Sequence, residues 1–225
     1  MGNPRVLRGV SRRLSPKEAA EGRRISVPWG RGPRPDRIAM ERAVGDFLEA
    51  AGLDASSDPN LQDTPRRVAS AWLNGFLDGY RTTPEEALGE RHPIPDGQEG
   101  ELVVVTNLRF HSMCPHHLLP YQGRAHLAYV PSGGVVGFGR LAGLLDCFAH
   151  RLILQETLAR EVAQALARVL GSPAAACILE AEQACLRLRG GHQRDAVTHA
   201  EAYEGRLRED RSLRKELWAR IGSRR

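Results

Sequence analysis

The sharpest chemical signal in this 225-residue chain is Cys114-Pro115-His116-His117. Cys-x-x-His brings a thiolate and an imidazole close enough to share one metal ion, and zinc favours such sulfur and nitrogen donors. Two ligands do not complete a tetrahedral site, so a third must come from a distance, and Cys185 is the best candidate. A set of Cys114, His117 and Cys185 leaves the fourth position to water, the arrangement of a catalytic zinc rather than a structural one. Zinc lowers that water's pKa toward neutrality and makes it a hydroxide-like nucleophile. His116 is the spare imidazole beside the ligands, suited to general acid–base work. The plainer alternative is a buried cysteine next to surface histidines.

Two further stretches carry chemistry. Residues 176–189 read as one strand, and side chains alternate across a strand. Gln183, Cys185, Arg187 and Arg189 then share a face. A thiolate flanked by an amide and two guanidiniums suits an anionic substrate, because Arg matches phosphate oxygens. The alternative is a solvated strand face with one buried cysteine. Gln155-Glu156 opens a helical pattern. An ionised carboxylate only accepts hydrogen bonds, so the N1–H and 2-amino edge of guanine is a natural bidentate partner for Glu156. The alternative is an ordinary acid in a first helical turn, favoured by the helix dipole.

These residues need elements to hold them. Leu102 to Val105 begins a strand, and Arg124 to Val130 alternates as another. Leu141, Leu144, Leu145 and Phe148 predict a helix; Leu158, Val162, Ala165, Leu166 and Val169 predict a second, closed by Gly171. The strand from 176 follows, with a fourth after it, and Leu213, Leu217 and Ile221 form a last helical stripe. Upstream, Met40, Val44, Phe47, Leu48 and Ala51 recur at helical spacing. Asp63-Thr64-Pro65 starts another helix with Val68, Trp72 and Phe76 on one face. The order gives an α+β fold, ββααββ, with two helices on one face of an antiparallel sheet and helices before it. We expect residues 1–37 to be a basic, disordered arm, 38–100 a helical region and connector, 101–205 the catalytic domain, and 206–225 a C-terminal helix.

Composition narrows the function classes. Apolar residues make up 41% and charged residues 26%, enough to bury a core. No apolar run approaches the roughly 18–20 residues of a spanning helix. Four cysteines, at 114, 147, 177 and 185, are too few and too spread for a disulfide scaffold. The start MGNPRVLRGV lacks a secretory apolar stretch, so a cytoplasmic setting is expected. The net charge of +5 suggests nucleic acid until it is divided. Ten of the 32 Lys and Arg and three of the 27 Asp and Glu lie in residues 1–37, so the arm carries +7 and the remainder −2. Nucleic acid is therefore not an expected partner of the folded body.

The stretch SMCPHHLLPYQGRAHLAYVPSGGVVGFGRLAGLL, then RLILQETL, then CLRLRG, resembles the GTP cyclohydrolase I family, as does DTPRRVASAW upstream. The resemblance covers about residues 38–205. It implies the tunnelling fold, in which ββααββ units close into rings, and a homodecamer with active sites between subunits. It implies zinc on Cys114, His117 and Cys185 and general acid–base work by His116. Gln155 and Glu156 would hold the guanine edge, and Arg189 and Arg67 the triphosphate, Arg67 reaching a neighbouring subunit. The implied reaction opens the imidazole ring of GTP at C8, releases formate and closes a new ring to 7,8-dihydroneopterin triphosphate.

Four departures from the family pattern stand out. Pro115 replaces a glutamate. Gln183 replaces a histidine, a second proton-transfer residue, with an amide that cannot titrate near pH 7. Gly139 and Gly143 replace a serine and an arginine on the phosphate side, although Arg140 keeps a charge at the lysine position. Beyond Gly190 the tail differs, with His192 and His199 as replacements for the missing imidazole. Three readings stay open: the full cyclohydrolase; a purine-ring hydrolase that stops at the formamidopyrimidine or takes a less phosphorylated substrate; and a non-catalytic zinc and nucleotide-binding assembly protein.

Overall fold

A computed structural model describes residues 35–94, 100–189 and 193–222; most of the expected arm, and His192, lie outside these. Four strands form one antiparallel sheet in the order β1-β2-β3-β4: β1 Val103–Met113, β2 Pro120–Tyr129, β3 Ala174–Gln183 and β4 Thr198–Gly205. Two helices join β2 to β3, Phe138–Ala149 and Gln155–Val169. The upstream helices are α1 (Arg37–Ala50), α2 (Thr64–Ala71) and the short α3 (Pro84–Leu88), so the two core helices are α4 and α5. A single turn, α6 (Ala184–Arg187), follows β3, and α7 (Arg206–Glu209) and α8 (Arg211–Gly222) close the chain. The expected ββααββ, α+β order is the observed one.

One face of the sheet carries the main core. Leu141, Leu144, Leu145 and Phe148 of α4 and Leu158, Val162 and Leu166 of α5 are buried against Phe110, Ala125, Leu127, Tyr129, Cys177 and Leu179. Each such side chain contributes about 1.5–3 kcal/mol relative to exposure. Among the described residues the other face is covered at one end only. There Leu207 and Leu217 bury against Leu102, Ala128, Ala176 and Ile178, with Leu213 and Ile221 partly buried beside them. The C-terminal stripe is thus a second, smaller core on the opposite side of the same sheet. Gly123 allows β2 and β3 to approach closely: a Cβ there would sit 1.9 Å from the carbonyl oxygen of Glu180.

Two expectations differ from the structure. The third strand ends at Gln183, not Arg189. Tyr121 pairs with Gln183, and the next β2 residue in that direction is Pro120, which has no N–H to continue the ladder. The chain turns instead into α6. In α2 the buried residues are Ala69 and, just beyond it, Leu73, while Val68, Trp72 and Phe76 are only partly buried. The helix widens into a π turn over Trp72–Phe76, which rotates the apolar face.

A buried cation joins the upstream helices to the sheet domain. Arg151, 6% exposed, donates to the carbonyls of Cys147, Gly79 and Thr82 and lies over the rings of Tyr80 and Phe148. The 3-10 turn Asp78–Arg81 rests on the end of α4 so tightly that a Cβ on Gly79 would lie 2.7 Å from the carbonyl oxygen of Cys147.

Candidate active site

The turn after β1 presents the Cys-x-x-His pair. Its ends are tied by main-chain bonds, Cys114 N–H to Leu119 O and Leu118 N–H to Cys114 O, each 2.9 Å. Leu118 takes a left-handed conformation, φ 53°, which a residue with a Cβ adopts at a cost. The turn buries Cys114 and leaves His116 and His117 exposed. Cys114 Sγ lies 3.6 Å from His117 Nδ1. Cys185, partly buried, enters from α6, and the ligand atoms of Cys114, His117 and Cys185 all lie within 4.8 Å of one another. Burial first, and the neighbouring Cys114 second, push the Cys185 thiol up. Two thiols and an imidazole converging on one point fit a divalent metal with affinity for sulfur and nitrogen. Among the described residues this is the only such cluster. His116 stands beside it with its ring 6.1 Å from that of His117.

The start of α5 stands next to this turn. Ile153 N–H donates to Met113 O, and Tyr121 O–H donates to Ile153 O at 3.0 Å. Burial pushes the Tyr121 phenol far up, so it stays a donor. Tyr121 was not singled out from the sequence; its place opposite Gln183 in the ladder is a tertiary fact. Glu156, in the first turn of α5, is exposed. Gln155 is 4% exposed and directed inward. Its Nε2 donates to the carbonyls of Leu179 and Thr198, and its Oε1 accepts from Gln183 Nε2 and Thr198 Oγ1. This differs from the role implied for it at a guanine edge, because every hydrogen-bonding position of its amide is used within the chain.

The arginines are dispersed. Arg189 is exposed and lies near enough to Cys185 to favour its thiolate. Arg187 instead pairs with Glu182, so the expected shared face of residues 183–189 does not form. Arg67, ion-paired with Asp63, lines a cleft of about 570 Å³ with Arg66, Asn74, Phe76 and His111. Arg140 rests its guanidinium against Gly89 at the end of α3. A Cβ at Gly139 would have no heavy atom within 4 Å, so the space of the missing serine is open. His199 follows Thr198 on β4; strand alternation turns it to the face away from α5.

The family model for GTP cyclohydrolase I matches residues 40–222. The chain belongs to the GTP cyclohydrolase I family. It is 40% identical over 183 residues to the GTP cyclohydrolase 1 of Chromobacterium violaceum, covering 81% of this chain and 86% of that one. It is 38% identical to that of Ralstonia nicotianae, covering 81% and 85%. With the GTP cyclohydrolase 1 of Streptococcus sanguinis it shares 37% over 187 residues, 83% of this chain and 99% of that one. Gln183 is bonded into the interior through Gln155.

Proposed function

We propose that this protein opens the imidazole ring of GTP at C8, releases formate and forms 7,8-dihydroneopterin triphosphate. The observation that carries the reading is the convergence of Cys114, His117 and Cys185 beside the exposed carboxylate of Glu156. Those three residues would hold zinc, which when bound supplies Lewis acidity at its open position and lets water act as a nucleophile near neutral pH. Glu156 accepts from N1–H and the 2-amino group of guanine and so sets which edge of the base faces inward. Addition of water across N7=C8 needs a proton at N7, and His116 supplies it. Arg189 takes phosphate oxygens at the same site. Arg67, reaching from a neighbouring copy, and Arg140 serve the triphosphate.

A homo-oligomer, of ten copies in our reading, is supported by two features. Among the described residues β1 and β4 each pair on one side only, leaving two edges for strand pairing between copies. Leu118, Leu186 and Leu188, near the ligand turns in sequence, and Leu152 and Leu154, just before α5, are exposed. We place the catalytic unit at 101–205, flanked by the helical region 38–100 and the C-terminal helix 206–225, in the cytoplasm. Residues 1–37 are dispensable on grounds of composition, so their deletion leaves metal content and oligomer size unchanged; dissociation into monomers on sizing would assign the arm to the assembly.

A second reading is favoured by Gln183 and by the open space at Gly139: the reaction slows or stops at the ring-opened formamide. General acid–base catalysis is typically worth about 10²–10⁴-fold, so one missing imidazole makes a late step limiting. Product analysis of the metal-loaded protein with GTP tests both. We expect pterin fluorescence preceded by an accumulating formamidopyrimidine. Pterin without that intermediate removes the second reading, and no consumption of GTP removes both.

A further inference from the structure

Gln155, Gln183 and Thr198 come from α5, β3 and β4 and meet at the metal end of the sheet. Their hydrogen bonds have a forced direction. The carbonyls of Leu179 and Thr198, 3.2 and 3.1 Å from one end of the Gln155 amide, can only accept, so that end is the NH₂. The other end is therefore oxygen, and both groups facing it must donate. Thr198 Oγ1 has one proton, and the shorter contact takes it: 2.6 Å to Gln155 Oε1 against 3.0 Å to Ala181 O. Gln183, at 2.8 Å, must likewise turn its NH₂ inward. Its carbonyl oxygen and the second N–H of the same amide are then left for a ligand, and among the described residues that oxygen has no hydrogen-bond donor.

We infer that this relay makes Gln183 a specificity-determining acceptor for a ribose hydroxyl of the substrate. The inference rests on the GTP reading above. With the pyrimidine edge at Glu156 and C8 at the cysteine and histidine ligands, the sugar on N9 lies beside C8, and Gln183 is two residues from Cys185. The relay takes one N–H of this amide inward and leaves its carbonyl oxygen free to accept. Hydroxyls donate and ether or hydrogen substituents do not, so the site distinguishes a ribonucleotide from its deoxy analogue.

The test is equilibrium binding of GTP, 2′-deoxy-GTP and 3′-deoxy-GTP to the metal-loaded protein, compared with Gln183→Met, Gln183→His and Thr198→Val. The wild type should prefer GTP over one deoxy analogue by about three- to tenfold, the range of one neutral hydrogen bond. Gln183→Met should lose that preference with metal content and circular dichroism unchanged. Gln183→His, which can donate inward and accept outward, should restore it. Thr198→Val, which takes away one of the two donors that orient Gln155, should reduce it partway. An unchanged preference in a folded, metal-loaded Gln183→Met protein overturns the inference while leaving the GTP reading intact. Failure of the wild type to bind GTP at all strikes that reading instead.

Discussion

The Cys114–Leu118 turn and the start of α5 sit side by side at one end of the sheet, and they are finished to different degrees. The turn is set by main-chain bonds and a left-handed Leu118, and its Cys114 and His117 side chains meet each other at 3.6 Å. Cys185 is pushed up by burial and by Cys114, a state that a cation relieves. At the start of α5 the side chains are bonded internally: Gln155 makes four bonds, and Tyr121 donates to Ile153 O. One corner gathers three candidate ligands that do not complete a tetrahedral set, and the other is prebuilt. On the proposed reading such a site would take its metal by completion and its base by fit.

Breaking the incomplete corner should have the largest effect. Cys185→Ser should drop metal content from about one per chain to a small fraction, measured by elemental analysis. Turnover should fall by more than the roughly 10–100-fold that outer-shell changes cost. Full occupancy in that variant would remove Cys185 from the ligand set. Glu156→Gln acts on the other corner. It turns one acceptor into a donor against a base N–H and should weaken GTP binding by about 2–4 kcal/mol, seen by calorimetry, with metal retained. Unaltered affinity would make Glu156 an ordinary first-turn acid.

Gln155→Leu tests the prebuilt character itself. Gln183, Thr198 and two carbonyls lose a buried partner, at a cost of about 2–3 kcal/mol in urea unfolding; metal content should not move. A variant that unfolds normally but loses its metal would show that the two corners are one unit. Smallest is Tyr121→Phe, which removes the bond to Ile153 O and should cost about 1 kcal/mol.

The order of elements was legible because the apolar periodicities of α4, α5 and α8 are long and the core they build is the main energetic term. The convergence of Cys114, His117 and Cys185 was legible because Cys-x-x-His is local and a cysteine set among an amide and arginines is unusual. The end of β3 was not. Gln-Ala-Cys-Leu-Arg-Leu-Arg alternates as a strand does, and what stops it is Pro120 on the neighbouring strand, sixty-odd residues away in sequence. The inward turn of Gln155 was hidden for the same kind of reason. Its partners come from two strands, and no spacing within residues 155–198 announces that an amide at a helix start will meet two carbonyls and two donors. The helix face upstream was misjudged because a π turn adds a residue to the period at Trp72.

Arg151 has a consequence for how the molecule breathes. Segments that join domains usually open first, because few contacts hold them. Here the join at residues 78–82 is bolted by one guanidinium to three carbonyls and two aromatic rings, and by Gly79 to the end of α4. Lifting it forfeits all of these together. In amide hydrogen exchange the join should behave as part of the slowest-exchanging sheet and helix body, and α1, whose one buried side chain is Leu48, should open ahead of it.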